Sequence, residues 1–97
     1  MSIGEQSDYQ IKIEETVKQL LKAPESANFP SIANGWSFGK NKYYVAVQSY
    51  VDAQNSFGAE IRSEFTFIYF ADTGKIAYAV FDGDVIADNG YTKTANI

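Results

Sequence analysis

Two stretches of alternating apolar and polar residues, Tyr43 to Val51 and Ile61 to Phe70, limit what this chain can fold into more than any other feature. Both are rich in β-branched and aromatic side chains, and the segment between them is built of turn formers, so they read as the arms of one long hairpin. A three-residue loop, Ser56-Phe57-Gly58, closes it best, because Gly58 can adopt the left-handed conformation that such loops need. That closure sets the register: Val51 opposite Ser63, Val47 opposite Phe67, Val45 opposite Tyr69. The odd-numbered residues of strands 42–54 and 60–70 then share one face, and Asp52 falls opposite Arg62 on the even-numbered face. A second three-residue loop, Asp72-Thr73-Gly74, returns the chain into a strand over about 75–82, with Phe65 near Phe81 and Phe67 near Ala79.

Upstream, Tyr9, Ile13, Val17, Leu20 and Leu21 recur at helical spacing, while Glu14, Glu15, Lys18 and Lys22 fill the opposite side. Ile11 falls off this stripe. Ser7 or Asp8 offers the N-cap and Pro24 the stop, which predicts a helix over about 7–22 preceded by a frayed end, Met1 to Gln6. Pro24 and Pro30 bracket a connector over 24–35 that Phe29 anchors in the core, and Asn34-Gly35 marks its closing turn. A short strand at 36–38 and a tight turn near Lys40-Asn41 lead into the long hairpin. The expected fold is α+β, with one N-terminal helix packed on the odd face of a four-stranded antiparallel meander in two layers. The tail, 84–97, holds either one more short strand around Val85-Ile86 or no regular structure.

A chain of 97 residues makes one domain, 1–97, with 45% hydrophobic and 15% aromatic residues to supply its core. Its net charge of −4 comes from 12 acidic and 8 basic residues with only one arginine, which argues against a nucleic-acid partner. Histidine and cysteine are absent, which removes the usual zinc ligands, the commonest general base and the thiolate nucleophile. No metal, cofactor or catalytic residue is therefore expected, and the chain reads as a non-enzyme. No apolar run reaches membrane-spanning length and no signal peptide is visible. The start at Met1-Ser2 fits a cytosolic protein and, equally, a domain detached from an anchor on an extracytoplasmic protein.

The even face is the main anomaly. Tyr44, Ala46, Ile68, Phe70, Ile76, Tyr78 and Val80 gather towards one end of it, and one helix cannot cover both faces of a sheet. Either the tail folds back over this patch or its polar members simply face water, or a second copy covers it in a homodimer, or a partner protein does. Tyr44, Tyr50, Ile68, Phe70, Ile76 and Tyr78 are the candidate contacts on this face, and Asn55 and Phe57 at the hairpin tip join them as a recognition loop. Asp52 and Arg62 read as a structural ion pair that fixes register. Asp82-Gly83-Asp84 with Asp88 lacks calcium-loop spacing and reads as a turn with solvated carboxylates. Glu14 and Glu15 are neighbours on a solvated helix face. Glu60 and Glu64 flank Arg62 and could make a carboxylate site with Asp52.

Two blocks, Leu21-Lys22-Ala23-Pro24-Glu25-Ser26-Ala27-Asn28-Phe29-Pro30-Ser31 and Tyr50-Val51-Asp52-Ala53-Gln54-Asn55-Ser56-Phe57-Gly58-Ala59 with Arg62, resemble the signatures of a small, uncharacterised domain family found in bacterial and prophage proteins. The likeness covers about 17–70, with both blocks in order. In some members the domain stands alone, and in others it follows a membrane anchor, a lipoprotein signal or a zinc ribbon. The resemblance implies a bacterial or phage origin and carries no catalytic residues. Together with the missing catalytic chemistry, it leads to the expectation of a cytoplasmic, phage-encoded protein that binds and inhibits a bacterial host protein such as a defence component. The alternatives are a self-associating structural domain, homodimeric through the even face, and a small-ligand-binding domain.

Overall fold

The computed structural model describes residues 1–95. Its elements run α1 (Ile3–Leu20), a 3-10 turn (Pro24–Ser26), β1 (Ser37–Lys40), β2 (Tyr44–Gln54), β3 (Glu60–Phe70), β4 (Ile76–Phe81), β5 (Asp84–Asp88) and α2 (Tyr91–Ala95). The five strands form one antiparallel sheet in the order β1-β2-β3-β4-β5, a meander. The α+β class and the antiparallel meander are as expected, but the sheet has five strands rather than four. Asp82 (φ 51°) and Gly83 (φ 84°) are both left-handed, which makes the two-residue Asp-Gly turn that folds β5 back on β4. The segment around Val85-Ile86 is thus a strand; the last two residues of the expected tail, 96–97, lie outside the described residues.

The helix starts earlier than its apolar stripe indicates. Ser2 caps it, its Oγ accepting from the Glu5 backbone N–H at 3.1 Å, and Glu5 is tied at 3.5 Å to Lys40 at the end of β1. The Ser2-x-x-Glu5 spacing is that of a capping box and wins over Ser7 and Asp8, so the segment expected to fray is helix. At the other end Leu21 is already extended (ψ 147°), three residues before Pro24. Ile13 and Val17 are fully buried, Tyr9 and Leu21 pack against the core, and Ile11 points to solvent as its place off the stripe requires. Leu20, expected on the apolar face, is 42% exposed because the helix ends there.

The β2–β3 register agrees with the expectation at every named pair: Val45–Tyr69, Val47–Phe67, Val51–Ser63 and Asp52–Arg62. Phe65 faces Phe81 and Phe67 faces Ala79. The odd face carries the core, in which Ile13 and Val17 of α1 meet Val45, Val47, Val51, Phe65, Phe67, Tyr69 and Ala79. Two residues expected there stay outside it. Tyr43 lies in the β1–β2 turn, where Asn41 Oδ1 accepts from the N–H groups of Tyr43 and Tyr44, and Ile61 sits at the hairpin end beyond the helix. The second loop also differs. A bulge between Ile68 and Tyr69 pairs Tyr69 with Ile76, so Phe70 and Lys75 close a four-residue turn. Strand β4 therefore begins one residue later than expected, and Ile76 packs against the core cluster, not on the even face.

The connector lies along the edge of β2 that β1 leaves open. Asn28 exchanges backbone hydrogen bonds with Asp52 (2.8 and 3.0 Å), and Ser26 Oγ accepts from the Gln54 N–H at 2.8 Å. Trp36, just before β1, is buried and donates from Nε1 to the Pro30 carbonyl at 2.9 Å, while Ser49 Oγ donates to the Gly35 carbonyl. Phe29 packs on the rings of Trp36 and Phe65, the anchoring role its sequence position predicts. Phe67 is the largest fully buried side chain, and its replacement by alanine should lower the unfolding free energy by about 3–5 kcal/mol. Ile11→Ala, at a position 57% exposed, should change it by no more than about 0.5 kcal/mol. Urea titration followed by circular dichroism measures both.

Candidate interaction surface

The hairpin tip is held rigid by one side chain. Asn55 and Ala59 close the loop through Asn55 N–H to Ala59 O at 2.9 Å, and Gly58 donates back to Asn55 O at 3.0 Å with φ of 82°. Asn55 Oδ1 accepts from the Phe57 N–H at 2.9 Å and the Ala59 N–H at 3.0 Å. The loop backbone is therefore satisfied from within, and Phe57 is left standing on it at 93% exposure. Asn55, expected to contact a partner, has its amide oxygen committed to this loop.

Below the tip, the end of α1 and the hairpin leave a groove of about 180 Å³ whose lining includes Leu20, Leu21, Ala53, Ile61 and Phe81. Leu20 and Ile61, 42% and 46% exposed, contribute apolar surface to it. Sequence periodicity assigned both to the core. The signal that they are not is positional: each lies at the extremity of its element, where the facing layer has ended.

On the even face, Asp52 and Arg62 form a two-pronged pair, Nε to Oδ1 at 2.8 Å and Nη2 to Oδ2 at 2.9 Å. The Arg62 guanidinium also covers the Tyr50 ring at 3.9 Å, so Tyr50 is a platform for arginine rather than an open contact. These hydrogen bonds hold the Asp52 carboxyl below its ordinary range and raise Arg62 further above its own. Glu64 and Asp82 lie beside Arg62 around a shallow concavity. Among the described residues no group of three or more metal-ligating side chains is present.

The apolar end of the same face has an occupant from within the chain. Tyr91, first residue of α2, sits edge-on to Tyr44 at 5.0 Å and tilted on Tyr78 at 5.3 Å, and Tyr44 in turn meets Phe70 at 6.0 Å. Asp88 holds α2 in place, accepting from Thr92 Oγ1 at 2.6 Å and from the Thr92 N–H at 3.4 Å, bonds that lower its pKa. Ile68, half-buried, lies between Ala46 and Tyr78 in the same row. Tyr44, Ile68, Phe70 and Tyr78 thus do form one patch, Tyr50 is separate from it, and Ile76 faces the core. Tyr91 itself gave no sequence signal beyond being an aromatic residue after an Asn-Gly turn.

Comparison of the chain with protein-family models, with curated proteins and with solved structures gave no match. No helix among the described residues is long and apolar enough to cross a membrane.

The Asp52–Arg62 pair has a pH signature. Because the folded carboxyl titrates below its ordinary value of 3.8, the pair's contribution to stability is complete above that value. It is lost as the pH falls through the folded value. Arg62→Gln should raise the Asp52 pKa towards the ordinary value and remove this part of the acid dependence. Carboxyl carbon shifts in a pH titration of both proteins measure it.

Proposed function

We propose that this chain is a non-enzymatic protein-binding module that grips its partner with the β2–β3 hairpin tip, Phe57 being the anchor. The observation that carries this reading is the full exposure of an aromatic ring on a loop that is already ordered. An exposed phenylalanine has no stabilising role in the free domain, and holding it in one place in advance lowers the ordering cost of binding. Leu20 and Ile61, exposed at the same end of the molecule, extend the apolar area that a partner could cover. The absence of histidine and cysteine supports a role without catalysis.

The likeness of the two sequence blocks to bacterial and prophage proteins supplies the partner class: a bacterial cytoplasmic protein, which a phage-encoded domain of this size inhibits by occlusion. Homodimerisation through the even face is the weaker reading, because Tyr91 already sits on the aromatic end and charged or polar Arg62, Glu64 and Gln48 occupy the other. The same observation makes substitutions at Phe70 or Tyr78 poor tests, since they would disturb packing within the chain.

Phe57→Ala is the clean variant. Tagged protein incubated with bacterial lysate, with and without untagged competitor, should retain one strongly competed protein. With that protein purified, Phe57→Ala should weaken binding by about thirtyfold, or about 2 kcal/mol, in calorimetric titration. Its melting temperature should be unchanged. Undiminished binding by Phe57→Ala would overturn the assignment of the tip.

A further inference from the structure

We propose that the outer edge of β5 is a second binding surface, which takes an extended basic peptide segment as a sixth strand. Strand β5 ends the sheet, and no backbone hydrogen bond reaches its outer side from any described residue. An exposed row of N–H and C=O groups is a template for a further strand. The other end of the sheet is guarded. Strand β1 is four residues long and finishes in Lys40, tied to Glu5, while Asn28 and Ser26 cover the β2 edge at Asp52 and Gln54.

The side chains along β5 say what would fit. Val85 and Ile86, 56% and 40% exposed, put apolar surface in the middle of the strand. Asp84 and Asp88 flank them, Asp82 precedes them in the turn, and all three are exposed. No lysine or arginine occurs anywhere from Ile76 to Thr92. Asp88 already accepts from Thr92, but Asp84 has no ion pair among the described residues.

This charge arrangement discriminates between occupants. The bulge at Ile86 sets Asp84 on the face of Phe81 and Asp88 on the face of Tyr78, so each face of this edge carries a carboxylate. A second copy pairing along the edge would bring the same carboxylates and no cation to it, and like charges brought together repel. A strand whose alternating lysines or arginines lie on the Asp84 face meets that carboxylate favourably, and its intervening apolar residues lie on the other face beside Val85. The bulge that makes Ile86 the extra residue opposite β4 twists the edge, which restricts the added strand to a short one of about five residues.

The test uses the whole chain, labelled with nitrogen-15. The probe is an acetylated, amidated peptide of about eight alternating lysines and valines. Its addition should shift the amide signals of 84–88 and leave those of Phe57 and of β1 in place. A peptide with glutamate in place of lysine should bind about tenfold more weakly, as should the lysine peptide with a central proline. Ile86→Lys, at a solvent-exposed edge position, should weaken the lysine peptide without lowering the melting temperature. Asp84→Lys should reverse the preference between the two charged peptides. The proposal is overturned by an absence of shifts at millimolar peptide, by equal binding of the lysine and glutamate peptides, or by undiminished binding of the proline peptide, which would mean charge alone. Concentration-dependent shifts of the β5 amides without peptide would overturn it in favour of a second copy. The amides of β5 and of Phe57 are read separately in the same spectra, so failure here and failure of the hairpin-tip reading are distinguishable.

Discussion

Closure of the loop at Ser56–Gly58 sets all eleven pairs between β2 and β3, and those pairs set nearly everything else. A slip of one residue would turn one strand's set out of the core, either Val45, Val47 and Val51 with Tyr44 and Tyr50 taking their place, or Phe65, Phe67 and Tyr69 with Arg62 and Glu64 taking theirs. Two devices hold the register. Within the loop, Gly58 supplies the left-handed residue and Asn55 Oδ1 accepts from the N–H groups of Phe57 and Ala59. On the even face, the two-pronged Asp52–Arg62 pair fits only when those residues are directly opposite. A loop so constrained is a poor place for an exposed phenylalanine unless the exposure has a use, which is why structure and proposed function converge on the same few residues.

The connector is the second element that depends on this register. Asn28 pairs with Asp52, the residue whose side chain holds Arg62, and Ser26 satisfies the next free N–H along the same strand, that of Gln54. The two segments 21–31 and 50–62 are therefore neighbours in space. They meet largely as one clasp: Ser26, Asn28 and Phe29 on one side, Asp52, Gln54 and Arg62 on the other. The edge of β2 is closed at Asp52 and Gln54 by this clasp, where β1 is too short to reach.

The central hairpin, the helix and the core face were legible because each rests on periodicity or on turn residues of fixed geometry. What escaped was decided by competition or by ends. Ser2 and Glu5 together cap the helix better than Ser7 or Asp8. The bulge opposite Ile68-Tyr69 rotates Ile76 onto the core, and nothing in the residues themselves announces it. The fifth strand was signalled by Asp82-Gly83, a strong hairpin dipeptide, but its short irregular pattern left it undecided. At the candidate site, Phe57 was identified from its place in the loop, whereas Leu20 and Ile61 were assigned to the core because periodicity ignores where the opposite layer stops. Whether the even face would be covered by tail, twin or partner is a question of tertiary contact, and Tyr91 answers it for the aromatic end.

The aromatic residues are divided between the two faces, with tryptophan on one face alone and tyrosine pairs on both. Trp36 is the chain's single tryptophan, and it stands in the clasp side of the core, donating to Pro30, stacked with Phe29 and Phe38 and edge-on to Phe65. Its emission therefore reports on water reaching the connector and the core beneath it. Tyr44, Tyr78 and Tyr91 lie on the far side of the sheet, in mutual contact through α2. Near-ultraviolet dichroism of the tyrosine bands carries a contribution from that contact. The protein thus holds two built-in probes, one for the docking of the connector and one for the seating of the terminal helix.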